Sequence, residues 1–303
     1  MPELPEVEVV RRGLESHLLG RRFAAVEVRH PRAVRGFDPA AFSFLLDATR
    51  IRDIARRGKY LWMVLESEGD VPDRALFVHL GMSGQMLVNR ENAPVAKHER
   101  IRATFVDGTV LSFVDQRTFG RWAVMDLVPD PHGTARAGTA SAGTASAGLP
   151  KVPKIPVAVA HIAMDPLEPG FDLEAAVARI KSKNSEIKRV LLDQTVIAGI
   201  GNIYADEALF AAGVRPRRRA SSLSRPTIRR IVEQARAVMV RALAEGGTSF
   251  DSLYVNVNGS SGYFARSLQV YGRAGQLCRV CGTPIKRIQF AGRSSHYCPV
   301  CQK

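Results

Sequence analysis

The sequence predicts an α+β protein in three parts: an N-terminal helix with an antiparallel β-sandwich, a helical second half, and a small four-cysteine finger at the C-terminus. Three observations predict it. After Gly20 the apolar residues recur with period two, and no helices alternate with the strands, which is the pattern of antiparallel layers. Beyond about residue 170 the period lengthens to that of helices. All four cysteines of the 303-residue chain fall in its last 26 positions, as Cys278-x2-Cys281-x16-Cys298-x2-Cys301.

The first helix is expected from Pro5 to Leu19. Pro5 suits a first helical turn, Glu3 and Glu6 suit its positive end, and Val7, Val10, Leu14 and Leu18 form one apolar stripe. Strands are expected at Phe23–Arg29, Tyr60–Leu65, Ala75–Leu80, Ile101–Val106, Val110–Val114 and Arg121–Leu127, with Asp107-Gly108 as a hairpin turn. This sandwich domain takes residues 1–130. Residues 131–157 contain the near-repeat GTASAGTASAG and then Pro150, Pro153 and Pro156; tiny residues and prolines cannot build a core, so a linker is expected. A helical domain follows over 158–270, with helices at Leu173–Ile180, Ser185–Gln194, Asn202–Ala212 and Pro226–Glu245. Gly213 and Gly246 act as stops and Ser224 as a cap.

The finger takes residues 271–303. Two CxxC knuckles a short hairpin apart are how four thiolates hold a tetrahedral zinc ion, so one structural Zn2+ per chain is expected. Four thiolates leave no open coordination position, and no redox or nucleotide cofactor is implied.

Charge is unevenly spread. Residues 1–180 hold 23 Lys/Arg against 22 Asp/Glu, whereas residues 181–303 hold 20 against 7, which places nearly all of the formal +14 in the second half. That asymmetry points to a polyanion, bound through phosphate contacts. No run of 18 apolar residues could span a membrane, no basic amphipathic helix suits a membrane surface, and the acidic start MPELPEVEVV is unlike a signal peptide. A soluble intracellular protein is expected, in a reducing compartment that keeps the thiols free.

The first residues carry chemistry. Removal of Met1 would expose Pro2 as a secondary amine; an α-amine titrates at roughly 7.7–8.0, so much of it is neutral and nucleophilic near neutrality. Its attack on an anomeric or aldehydic carbon gives an iminium, an electron sink for elimination. Glu3 and Glu6 stand beside it as proton donors and acceptors. Further along, Gly199 and Gly201 precede Asn202, a good N-cap, so a helix start is expected to present free N–H groups to phosphate.

The opening PELPEVEVVRRGL, RRGKYL around Lys59, HLGMSGQ around Met82, DQRTFG at Asp115–Gly120, LLDQTVIAGIGNIYADEALF at Leu191–Phe210 and the cysteine finger occur in that order. Together they closely resemble the bacterial formamidopyrimidine-DNA glycosylase family, in which the helical part is a helix-two-turn-helix domain. The resemblance runs from Pro2 to the last cysteine, with only residues 131–157 foreign to it. It implies a bifunctional glycosylase and AP lyase that removes oxidised purines from double-stranded DNA, acting as a monomer in the bacterial cytoplasm on nucleoid DNA. By the same resemblance Pro2 is the nucleophile, Glu3 the proton donor for sugar opening and Glu6 a support. Lys59 contacts phosphate and donates a proton in β-elimination, and Arg293 grips the phosphates beside the lesion and assists δ-elimination as a further catalytic residue. Base flipping leaves a gap in the stack. Met82, Arg117 and Phe119 match the residues that fill it, and His79, His98, Lys183, Lys188 and Asn202 match DNA contacts. The Asn256–Gly262 stretch with Tyr263 and Phe264 resembles a cover over the extruded base. Two alternatives stand beside this reading: an endonuclease VIII-like enzyme for oxidised pyrimidines, whose opening typically has glycine where this chain has Leu4, and a non-catalytic damaged-DNA-binding protein.

Overall fold

The computed structural model describes residues 2–303 except 68, 70, 91, 133–152, 248–256 and 258–263. Met1, most of the expected linker and most of the expected cover loop lie outside the described residues.

Helix α1 (Leu4–Leu18) turns Val7, Val10, Leu14 and Leu18 into the sandwich, all of them buried. Each such side chain contributes about 1.5–3 kcal/mol of burial. The strands that follow are β1 (Phe23–Val28), β2 (Arg50–Arg57), β3 (Tyr60–Glu66), β4 (Arg74–His79), β5 (Gln85–Arg90), β6 (Glu99–Phe105), β7 (Thr109–Val114), β8 (Arg121–Pro129) and β9 (Lys154–Pro156). They make two sheets, ordered β1-β6-β7-β5 and β2-β3-β4-β8-β9, with every pairing antiparallel. The expected turn at Asp107-Gly108 joins β6 to β7, with Gly108 at φ 78°.

Four elements depart from the sequence expectation, one of them β5, which lies outside the expected strands and pairs with β7. Strand β2 reads RIRDIARR and shows no apolar alternation, because Arg56 and Arg57 are buried by ion pairing. Helix α2 (Pro39–Leu46) starts on Asp38, whose carboxylate accepts the Ala40 and Ala41 N–H groups. Strand β9 lies inside the proline-rich stretch expected to be linker. Its Ile155 is buried with Val159 and Ile162 over Trp62, Phe77 and Ala123, so the larger sheet is covered on both faces.

The second half holds α3 (Leu173–Lys181), α4 (Ile187–Leu192), α5 (Asn202–Ala211) and α6 (Arg225–Ala244). Asp172 and Ser224 cap α3 and α6 as side-chain acceptors. The core of this domain also contains Leu4, from the opposite end of the chain. Leu4 donates its N–H to the Gly199 carbonyl, and a side chain at Gly199 would collide with it. The finger is a hairpin of β10 (Lys286–Phe290) and β11 (Arg293–Tyr297), turned through Ala291 and Gly292, both at positive φ.

Candidate active site

The amine-bearing end of the chain is built into the start of α5. Pro2 is buried, and the neighbouring Glu3 carboxylate accepts N–H bonds from Gly201 at 2.8 Å, Ile203 at 2.9 Å and Tyr204 at 3.3 Å. These are donors that a helix start leaves without intrahelical partners, at the positive end of its dipole. The structure corrects two expectations here. The N-cap of α5 is Gly201, with Asn202 the first helical residue, and three N–H groups expected to face DNA phosphate are bonded to Glu3. A Cβ at 201 would run into the Glu3 carboxylate, so glycine lets the acid sit on these donors. Burial holds the Glu3 carboxyl above the ordinary range, against the pull of Lys59 and the backbone bonds. Glu6 accepts the Glu3 N–H at 2.9 Å and the Tyr204 hydroxyl at 2.7 Å, so it braces the same turn.

Lys59 reaches this place from the sandwich. It sits with Gly58 in the two-residue turn between β2 and β3, is buried, and donates its ammonium to the Ile200 carbonyl at 3.0 Å. Burial pushes its pKa down, opposed by Glu3 and assisted by Arg293. Glu3, the neighbour of Pro2, and Lys59 thus both bind the start of α5, at Gly201 and Ile200, and their environments shift their proton affinities towards each other.

The three expected gap-filling residues lie on two touching loops. Met82 is 41% exposed, Phe119 is 48% exposed and Arg117 is also exposed, which is unusual for large apolar side chains that could have joined the core. Buried Asp115 holds the loops together: it accepts the Ser83 hydroxyl at 2.5 Å and the N–H groups of Arg117 and Gly120 at 3.2 and 2.7 Å. Arg35 closes the outside by donating to the Phe119 and Gly120 carbonyls. Burial, with Arg121 and Arg35, lowers the His79 pKa, and its Nδ1 accepts the Gly81 N–H. His98 stands at φ 65° beside Arg100.

Arg293 is exposed at the start of β11 and lines a polar cleft of about 360 Å³ with Arg287 and Ser294. Its strand is fastened to α5. Asp206 accepts the Ser295 hydroxyl, the His296 N–H and the Lys188 ammonium at 2.8, 2.8 and 2.7 Å. Asn202 and Lys188 both donate to the Ser294 carbonyl. Lys188, expected at the DNA surface, is therefore a fully buried brace over Phe290, whereas Lys183 is exposed.

The four cysteine sulfurs all lie within 4.8 Å of one another, with Cys278–Cys301 at 3.9 Å and Cys281–Cys298 at 3.4 Å. Zinc–thiolate bonds of about 2.3 Å give a tetrahedron with sulfur–sulfur edges of about 3.8 Å, so the donor set fits one zinc ion. The ion would supply structure to this hairpin and leave no position for substrate.

Residues 1–122 match the formamidopyrimidine-DNA glycosylase N-terminal domain, 162–253 the formamidopyrimidine-DNA glycosylase H2TH domain, and 275–303 a zinc finger found in FPG and IleRS. The chain is 58% identical over 304 residues to a formamidopyrimidine-DNA glycosylase of Corynebacterium jeikeium, covering all of both chains. It is 54% identical over 308 residues to one from Nocardia farcinica, covering all of this chain and 98% of the relative. The chain belongs to the formamidopyrimidine-DNA glycosylase family. A solved complex of Lactococcus lactis Fpg with abasic-site DNA aligns over both whole chains at 30% identity and a TM-score of 0.80. A complex of the same enzyme with Fapy-dG DNA aligns with a TM-score of 0.79 at 30% identity, over 99% of this chain and all of the other.

Sequence reasoning missed the acids that organise this glycosylase fold. Asp115 and Asp206 lie inside the very stretches that carry the resemblance, yet attention falls there on Arg117, Phe119 and Asn202. Adjacent acids in the middle of a largely apolar helix, Asp206 and Glu207 in α5, are the signal that could have found one of them. Asp165, considered below, is flanked only by Met164 and Pro166.

Proposed function

We propose that the chain removes oxidised purines from duplex DNA by nucleophilic attack of Pro2 and then cleaves the strand by β,δ-elimination. The observation that supports it is that Glu3, the neighbour of Pro2, and Lys59, from the turn between β2 and β3, both bind the start of α5. With Met1 removed, the Pro2 nitrogen attacks C1′ of the extruded nucleotide. The bond from C1′ to the base breaks, and the base leaves with a proton. Glu3, whose burial raises its proton affinity, gives a proton to the ring oxygen as the sugar opens, which leaves an iminium between Pro2 and C1′. Loss of the C2′ proton then expels the 3′ phosphate, to which Lys59 supplies a proton. A second elimination releases the 5′ phosphate and frees the strand ends.

Met82, Arg117 and Phe119 occupy the gap left by the base, Arg117 facing the orphaned cytosine. Arg293 holds the flanking phosphates, with His79, His98 and Lys183 as further backbone contacts. Lys188 and Asn202 act by fixing the Arg293 strand. The excess charge of residues 181–303 fits binding dominated by phosphates, as suits an enzyme that must inspect any sequence. Among the described residues no helix is long and apolar enough to cross a membrane, and the working place is the bacterial cytoplasm, on nucleoid DNA, as a monomer.

The test is borohydride reduction of a reaction with an 8-oxoguanine duplex. A covalent adduct mapping to Pro2 is expected. Absence of an adduct, or an adduct on another residue, sinks the mechanism. A matched panel with oxidised pyrimidines separates the endonuclease VIII-like reading by rate.

A further inference from the structure

The turn that carries Lys59 is held from behind by a group of buried acids that the chemistry above does not use. Asp165 is fully buried. Its Oδ2 accepts the Gly58 N–H at 2.8 Å and the Arg56 guanidinium at 2.6 Å, and its Oδ1 accepts the Leu167 N–H at 3.0 Å. Arg56 continues to Glu8 on α1 at 2.8 Å. The next residue, Arg57, donates to both oxygens of Asp130 at 3.0 and 2.6 Å and to Glu168 at 3.1 Å. Strand β2 therefore ends between α1, the end of β8 and the segment that leads into the helical domain.

On its other side the turn is pressed against that domain. Gly58 stands at φ 55°, and a Cβ there would lie 2.8 Å from the Ala198 methyl and 2.9 Å from the Gly199 nitrogen. The next residue along, Ile200, offers the carbonyl that receives the Lys59 ammonium. A shift of the turn would carry the lysine out of register with Glu3, since both groups are referenced to residues 200–204.

Buried ion pairs are expensive to desolvate and are a poor source of net stability compared with apolar packing. What this one supplies is direction: a carboxylate shared between a backbone N–H at the turn and the guanidinium two residues before it fixes where the turn points. We infer that Asp165 is a positioning residue for Lys59, holding the Gly58–Lys59 turn so that the ammonium stands over the sugar when the strand is cut.

This rests on the reading that Pro2 forms the iminium and Lys59 serves the later elimination, and it makes the two steps separable. Attack of Pro2 on a preformed abasic site needs no proton from Lys59. Cleavage of the C3′–O3′ bond needs a proton on the departing phosphate oxygen. The zinc-loaded full chain, with Met1 removed, is compared with D165A and D165N on an abasic-site duplex under single-turnover conditions. One arm reads the borohydride-trapped adduct at early times and the other reads strand cleavage.

For D165A the adduct is expected to form at the wild-type rate and accumulate, while cleavage slows on the order of 10²-fold, the scale of a misplaced catalytic group. D165N keeps an acceptor for the Gly58 N–H and is expected to recover part of the loss; it also serves if D165A does not fold. A parallel fall in adduct and cleavage would mark Asp165 as merely structural and overturn the inference, as would unchanged cleavage in both variants. Failure of the wild-type chain to give any adduct condemns the Pro2 reading instead.

Discussion

The Gly201 N–H and the Glu3 carboxylate, 198 positions apart in sequence, are joined by a 2.8 Å hydrogen bond at the start of α5. A Cβ at 201 would overlap the acid, so a side chain there must push the Glu3 carboxylate aside. The Glu3 carboxylate is thus registered on a helix of the other domain by a position that has no side chain.

Gly201→Ala is accordingly expected to displace Glu3 and cut base excision on the order of 10²-fold. The substitution leaves every charge in place. Binding to an undamaged duplex, measured by fluorescence anisotropy, is expected to stay at the wild-type level.

Glu3→Gln removes the acid itself. A loss of about 10²- to 10⁴-fold is expected in single-turnover excision of 8-oxoguanine. Because burial raises the Glu3 pKa, the wild-type rate is expected to fall with rising pH along a limb displaced upward from the ordinary carboxylate range. In the Gln variant that limb disappears from the pH–rate profile.

Asp115→Ala releases both gap-filling loops, leaving the Ser83 hydroxyl and the Arg117 and Gly120 N–H groups without their shared acceptor. About 1–3 kcal/mol of stability is expected to go, read by urea denaturation. Base extrusion, followed with 2-aminopurine beside the lesion, is expected to slow, whereas an abasic substrate is affected less.

Glu168 sets a pH dependence of stability. Burial and the neighbouring Asp165 raise its carboxyl from 4.5 to about 7, despite Arg57. A raised acid favours the folded state while protonated, so its contribution is complete below pH 4.5 and is lost as pH climbs to about 7. Glu168→Gln is expected to flatten that part of the melting-temperature profile. An unchanged slope between these pH values would contradict it.

Zinc removal by a chelator is expected to abolish nicking while circular dichroism of the sandwich persists, because the metal organises only the terminal hairpin. Asp206 and Lys188 still tether β11, so readdition of zinc is expected to restore activity without refolding of the whole chain.

Much of this was legible in the chain. Period-two stretches became strands within a residue or two, and the cysteine spacing located the finger, because both signals are local. Strand β2 was hidden since its buried positions are arginines, whose partners Asp130, Asp165 and Glu168 lie more than 70 residues away. The free N–H groups expected at the start of α5 are taken for a related reason: the group that occupies them comes from residue 3, and no spacing rule connects the two. Lys188 looked like any basic surface residue until Asp206 and Phe290 enclosed it. Local pattern finds elements; the residues that register one element on another are set by the tertiary fold.

Leu4 gives the protein a schedule as well as a shape. Its side chain belongs to a core completed by residues near 187–242, which are still unmade while the first hundred residues emerge from the ribosome. In the folded chain Pro2 is buried. The removal of Met1 that the proposed mechanism requires is therefore expected before that core closes, while the chain is still being made.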